Sequence, residues 1–108
     1  MPSLKPLRFL GSSLVDLRAF PDSPRQEAGY QLFQVQRGDE PDDWRPMRIV
    51  GPGVREIRLH NEGQYRVFYV ANFRGGIYVL HTFQKKTQKT RRMDIEIARR
   101  RLHQMQEK

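Results

Sequence analysis

IYVLHTFQKKTQKTRR, residues 77–92, reads as a strand that runs out into a cationic loop. Ile77 to Phe83 is rich in β-branched and aromatic residues, which pack well on a pleated, half-buried surface. From Gln84 to Thr90 the apolar residues stop, and Lys85, Lys86 and Lys89 are followed at once by Arg91 and Arg92. A buried strand that delivers these cations to one end of a sheet builds a place for phosphate.

Upstream, the same period of two continues. Tyr65 to Ala71 (YRVFYVA) is apolar on both faces except at Arg66. Val54 to His60 alternates, with Arg55, Ile57 and Leu59 on one face and Glu56, Arg58 and His60 on the other. Asn61 to Gln64, containing Gly63, and Arg74-Gly75-Gly76 supply short turns, so the three runs form an antiparallel meander. The last two strands are apolar on both faces, so both sides of the sheet must be covered.

The flanking segments can do that. Lys5 to Leu10 is expected to be a short edge strand, with Pro6 suited to an edge. Ser12 or Ser13 can cap a short helix in which Leu14 and Leu17 share a face, and Ser13 and Asp16 have capping-box spacing. A second helix is signalled by Ser23 as N-cap, Pro24 at the first helical position and Gln26 as the reciprocal group, followed by the stripe Ala28, Leu32, Val35. These two make an αα-hairpin for one face. A terminal helix from about Arg92, with Ile95, Ala98, Leu102 and Met105 in register, packs on or beside the sheet. Gly38 to Pro46 is expected to be a linker, its acids Asp39, Glu40, Asp42 and Asp43 a solvated turn pinned by Trp44. Those acids lack the alternation and closing glutamate of a calcium loop. The expected fold class is α+β: an N-terminal αα-hairpin packed on a small, mainly antiparallel sheet with a C-terminal helix, as one domain over residues 1–108.

Composition bounds the function. The net charge is +8, and it is unevenly spread: residues 1–43 hold 5 Lys/Arg against 7 Asp/Glu, residues 44–108 hold 15 against 5. So basic a segment concentrates polyanions around it. An anionic membrane surface fits less well, because the arginines lie largely in strands rather than on one amphipathic helix. The absence of cysteine excludes disulfides and thiolate metal sites. No 18-residue apolar run or signal-like N-terminus is visible, so a cytoplasmic location is the default expectation.

Arg66 is the sharpest single residue. A charge in an apolar central strand persists only with a partner or a ligand, and two readings stand: an intramolecular pair with Glu56, or a ligand contact. His81 in an apolar strand is more often a hydrogen-bonded structural residue, yet His60 and His81 can both serve as acid or base near neutral pH. No nucleotide-binding glycine loop, serine-nucleophile motif or metal-ligand cluster is present, and no cofactor is called for. What remains is chemistry that needs only positioned cations and a proton acceptor. Metal-independent RNA cleavage is such a reaction, because the 2′-hydroxyl is an internal nucleophile.

The segments GVREIRL, YRVFYV, YVLHTFQKKTQKT and DIEIARRR resemble the RelE/HigB branch of type II toxins within the RelE/ParE superfamily, specifically the small phage-related HigB-type proteins. The resemblance runs from about Leu7 to Leu102. It implies an endoribonuclease that cuts mRNA in the ribosomal 30S A site and so inhibits translation. It also implies a cognate antitoxin with a helix-turn-helix DNA-binding domain, through which alone operator DNA would be met. By position, Arg66 matches the family's strand arginine at the scissile phosphate, Arg58 a basic residue of the preceding strand, and Lys86, with Lys85 beside it, the basic residue after the last strand. The family's frequent C-terminal tyrosine falls near Arg92, and no tyrosine follows Tyr78. The resemblance therefore places Arg66 and Lys86 at the transition state, with Lys85, Arg58 or His60 positioning or moving protons. Arg55, Lys89, Arg91 and Arg92 are the further RNA-binding candidates. A gyrase-poisoning ParE-like protein and a non-catalytic RNA- or ribosome-binding module are the rival readings.

Overall fold

The computed structural model describes residues 3–107. In chain order its elements are β1 (Leu7–Phe9), α1 (Ser13–Arg18), α2 (Asp22–Gln36), β2 (Trp44–Pro46), β3 (Val54–Leu59), β4 (Tyr65–Phe73), β5 (Gly76–Gln84) and α3 (Arg92–Gln106). The strands form one sheet in the order β1-β5-β4-β3-β2. β1 runs parallel to β5, and every other neighbouring pair is antiparallel. This is an α+β fold with an N-terminal helical pair and a C-terminal helix, consistent with a RelE-like fold.

The double-sided apolar pattern of β4 and β5 is explained by two cores. On one face, Leu17, Phe20, Ala28, Leu32 and Val35 from the helical pair pack on Ile57, Leu59, Tyr65, Val67, Tyr69, Ile77 and Val79. On the other, Ile95, Ala98, Leu102 and Met105 of α3 pack on Val54, Phe68, Val70, Leu80 and Phe83. The helical stripe in α3 falls where its spacing places it.

A β-bulge changes what the simple alternation predicts for β5. Phe68 pairs with His81 but Tyr69 with Val79, so Leu80 is an extra residue in that strand. Period two would put Ile77, Val79, His81 and Phe83 on one face. Instead Ile77 and Val79 join the core under the helical pair, while Leu80 and Phe83 join the core under α3. His81 follows Leu80 and Phe83 to the α3 side, where its ring meets Asp94. Bulges re-aim side chains in this way. Arg101 Nη1 fixes the spot by donating to the Leu80 carbonyl at 2.9 Å. Gly11, at φ +54°, lets that guanidinium in, since a Cβ there would collide with it.

Three local expectations need correction. The second helix begins at Asp22, so Ser23 lies inside it and makes no cap; its Oγ instead accepts from Asn61 Nδ2 at 3.2 Å. In the first helix Ser12, not Ser13, is the residue before the first turn, and it bonds Asp16 at 2.7 Å. Ser13 is buried against the Val79 carbonyl. The linker contains β2, which pairs Trp44, Arg45 and Pro46 with Ile57, Glu56 and Arg55. A three-residue strand ending in proline carries too little periodicity to be seen without its partner.

Candidate RNA-binding and catalytic site

The register of the three central strands assembles the site. Cross-strand partners share a face, so β3, β4 and β5 lay down two adjacent rows on the α3 side. One is Arg58, Arg66, Phe83 and the next is Glu56, Phe68, His81. α3 covers the sheet farther along, and the chain beyond Phe83 becomes the lysine loop.

Arg66 is only 4 % exposed. Its Nη1 donates to the Tyr65 carbonyl at 2.9 Å and its Nη2 to Gln64 Oε1 at 3.3 Å. Its Nε lies 3.8 Å from Glu56 Oε2, too long for a hydrogen bond, and has no hydrogen-bond partner. Burial pulls the Arg66 pKa below its ordinary value, Glu56 opposes that shift, and Arg58 adds to it. Of the two readings open for Arg66, the pair with Glu56 exists. It is a loose ion pair, and Glu56 shares its charge with Arg45 at 3.9 Å.

Gln64 ties the loop to this row. Its side chain accepts from Arg66, and its backbone carbonyl accepts from the Lys85 N–H at 2.7 Å. Lys85 is thereby held beside Arg66, while Lys86 and Lys89 project from the exposed part of the loop. Among the described residues, no carboxylate lies within 4 Å of Lys85, Lys86 or Lys89. Arg91 and Arg92, at the start of α3, extend the basic surface. Arg91 lies 3.5 Å from Asp94 and Arg92 3.0 Å from Glu96.

The remaining sequence candidates are engaged by the supposed linker. Asp43 sits 4.0 Å from Arg58 and 2.8 Å from His60 Nε2, while His60 Nδ1 lies 2.7 Å from Gln64 Oε1. Both ring nitrogens of His60 are occupied, which leaves none to receive a substrate proton. Asp39 faces Arg37 at 3.8 Å, and Asp42 receives Gln31 Nε2 at 2.8 Å. Asp39, Glu40 and Asp42 are exposed, as expected of a solvated turn, and Asp43 is the one acid that the linker brings to Arg58 and His60. Arg55 does not join the group. It pairs with Tyr69 in the ladder, on the helical-pair face, with its guanidinium 4.2 Å from the Trp44 ring centroid and 3.9 Å from Glu40.

His81 is buried on the site's own face. Its Nε2 and Asp94 Oδ1 are 2.8 Å apart, and its ring stacks on Phe83 at 4.9 Å between centroids. Burial lowers its pKa, against the raising effect of Asp94. Sequence reasoning missed Gln64, Asp43 and Asp94 as partners. Each meets its partner only through the folded register, Asp94 included, although it opens the DIEIARRR segment.

This geometry has a family behind it. The phage-derived protein Gp49-like family (DUF891) matches residues 15–103. The chain belongs to that family. Gp49-like proteins are a RelE-type, toxin-like group, and the match spans most of α1, all of α2, four strands of the sheet, the lysine loop and most of α3. No curated protein matches the chain. No helix among the described residues is long and apolar enough to cross a membrane.

Proposed function

We propose that this Gp49-like chain is the toxin of a type II toxin–antitoxin pair, of the HigB-like branch, and that it cleaves mRNA without a metal, on the ribosome. The observation that carries this reading is the junction at Gln64. It joins a lysine loop that has no internal counter-charge among the described residues to an arginine whose Nε–H is buried and unused. Lys85, Lys86 and Lys89 draw in the phosphate backbone through charge, with Arg91 and Arg92 at the rim. Arg66, Arg58 and Lys86 then stabilise the negative charge that builds on phosphorus as the 2′-oxygen attacks. A phosphate entering the row competes with Glu56 for Arg66 and with Asp43 for Arg58, so the internal acids hold the cations in place until substrate arrives. A cognate antitoxin, with its own helix-turn-helix domain, silences the toxin, and an acidic segment over the basic surface is the simplest means.

Induction of the chain in cells followed by primer extension on abundant mRNAs tests this. New 5′ ends that vanish when the ribosome is blocked, and that are absent for R66A and K86A, are the expected result. Intact transcripts with accumulated gyrase–DNA damage would replace this reading with gyrase poisoning. Intact transcripts with tight ribosome association would replace it with a binding module.

A further inference from the structure

Among the described residues, three buried side-chain nitrogen or oxygen atoms have no hydrogen-bond partner: Arg66 Nε, His81 Nδ1 and Tyr69 Oη. Tyr69 lies on the helical-pair face opposite Arg55. The other two lie together. Arg66 pairs with Phe83, and His81 precedes Phe83 by two residues, so Arg66 and His81 are diagonal neighbours on one face. That places their Cβ atoms about 7 Å apart. An unused donor and an unused ring nitrogen at this spacing suit a phosphodiester with a hydroxyl beside it. Unfilled buried polar atoms are costly, and a paired donor and acceptor call for an explanation in function.

Asp94 sets the chemistry of the imidazole. A carboxylate at 2.8 Å from Nε2 takes the ring's proton bond on that side, which leaves the lone pair on Nδ1. The charged groups around the ring are Asp94 and Arg91 from the start of α3, Arg101 from later in α3, Asp16 from α1, and Arg66 from β4. Burial among them keeps the ring neutral near pH 7. His60, the other histidine close to the lysine loop, has both nitrogens taken.

We propose that His81 is the general base of the cleavage reaction, that Asp94 is its positioning residue, and that Arg66 Nε–H donates to the scissile phosphate. The inference rests on the RNA-cleaving reading above. His81 Nδ1 takes the proton from the 2′-hydroxyl as the 2′-oxygen bonds to phosphorus. The bond from phosphorus to the 5′-oxygen breaks, and that oxygen takes a proton from water. The products are a 2′,3′-cyclic phosphate and a 5′-hydroxyl, and the imidazolium returns its proton to solvent. Phe83, 8 % exposed, stacks on His81 and neighbours Arg66 across the ladder, so the phosphate enters by moving that ring.

The test is single-turnover cleavage of ribosome-bound mRNA by the full chain across pH 5 to 9, with thermal melts of each variant. H81Q is expected to lose about 10²- to 10⁴-fold in rate and the acid limb of the pH profile. D94N keeps an acceptor for Nε2–H while removing the charge that raises the His81 pKa, so its acid limb should move to lower pH with a slower plateau. If H81Q melts early, D94N and imidazole rescue of H81A carry the test. H81Q cleaving within about threefold of the parent, or D94N with an unchanged profile, overturns the assignment of His81 and leaves the nuclease reading standing. A parent chain that makes no cuts overturns the nuclease reading and this inference with it.

Discussion

The strand cations and the loop cations of this protein differ in one respect: whether the fold has given them a counter-charge. Arg55, Arg58 and Arg66 each lie within 4.0 Å of an acid of the same chain. Lys85, Lys86 and Lys89 face none among the described residues. The strand cations are therefore bound into the folded state, and their removal leaves an acid behind. The loop lysines, with no acid within 4 Å among the described residues, keep their charge available to a polyanion. One basic half-chain thus contains two kinds of charge, structural and available, which its net charge does not distinguish.

The comparison breaks hardest at Arg66. R66A leaves Glu56, 3 % exposed, with the half-exposed Arg45 at 3.9 Å as its remaining counter-charge. It should cost about 3–5 kcal/mol in urea unfolding, alongside loss of cleavage. The double variant E56L/R66M should recover most of that stability and none of the cleavage, because apolar residues of similar size often replace a buried ion pair without loss. If the double variant cuts mRNA, Arg66 is a structural residue alone.

On the loop, the outcome should invert. K85A/K86A/K89A should change stability by less than about 0.5 kcal/mol. Binding to single-stranded RNA should weaken uniformly across sequences, with the salt slope of log K falling by about 2, or about 0.7 for each phosphate no longer neutralised. An unchanged slope would mean that these lysines do not touch the backbone.

A smaller effect concerns His81. Burial sets its folded-state pKa below the ordinary 6.5, so the unfolded chain binds the proton more readily. Stability should therefore fall as pH drops below about 6.5 and level off below the folded-state value. Urea midpoints between pH 5 and 7.5 would show this slope, and H81Q should flatten it. The smallest effect is expected at Arg55. R55A should cost under about 1 kcal/mol, by losing its place over Trp44, and should leave cleavage within about twofold. A large loss of RNA binding in R55A would return that residue to the site.

The sequence marked the meander, the helical pair and α3 because each is written in local periodicity: two in β3 to β5, three to four in α2 and α3. It marked the lysine loop because a run of polar cations after an apolar strand needs no partner to be read. It also identified Arg66 as anomalous, since a lone charge among YRVFYV violates the pattern. What it left undecided depends on contacts between distant segments. β2 has three residues and no period of its own, so only pairing with β3 makes it a strand. The role of Asp43 was not legible because its partners Arg58 and His60 lie up to 17 positions away. His81 turned on one extra residue. Leu80 carries no sign in the sequence that it is the bulge, yet it decides which face the histidine joins. The sequence by itself determined that cations would be brought to the end of a sheet. Only the tertiary structure decided which of them keep their charge available, because that depends on which acids the register and the linker place within 4 Å.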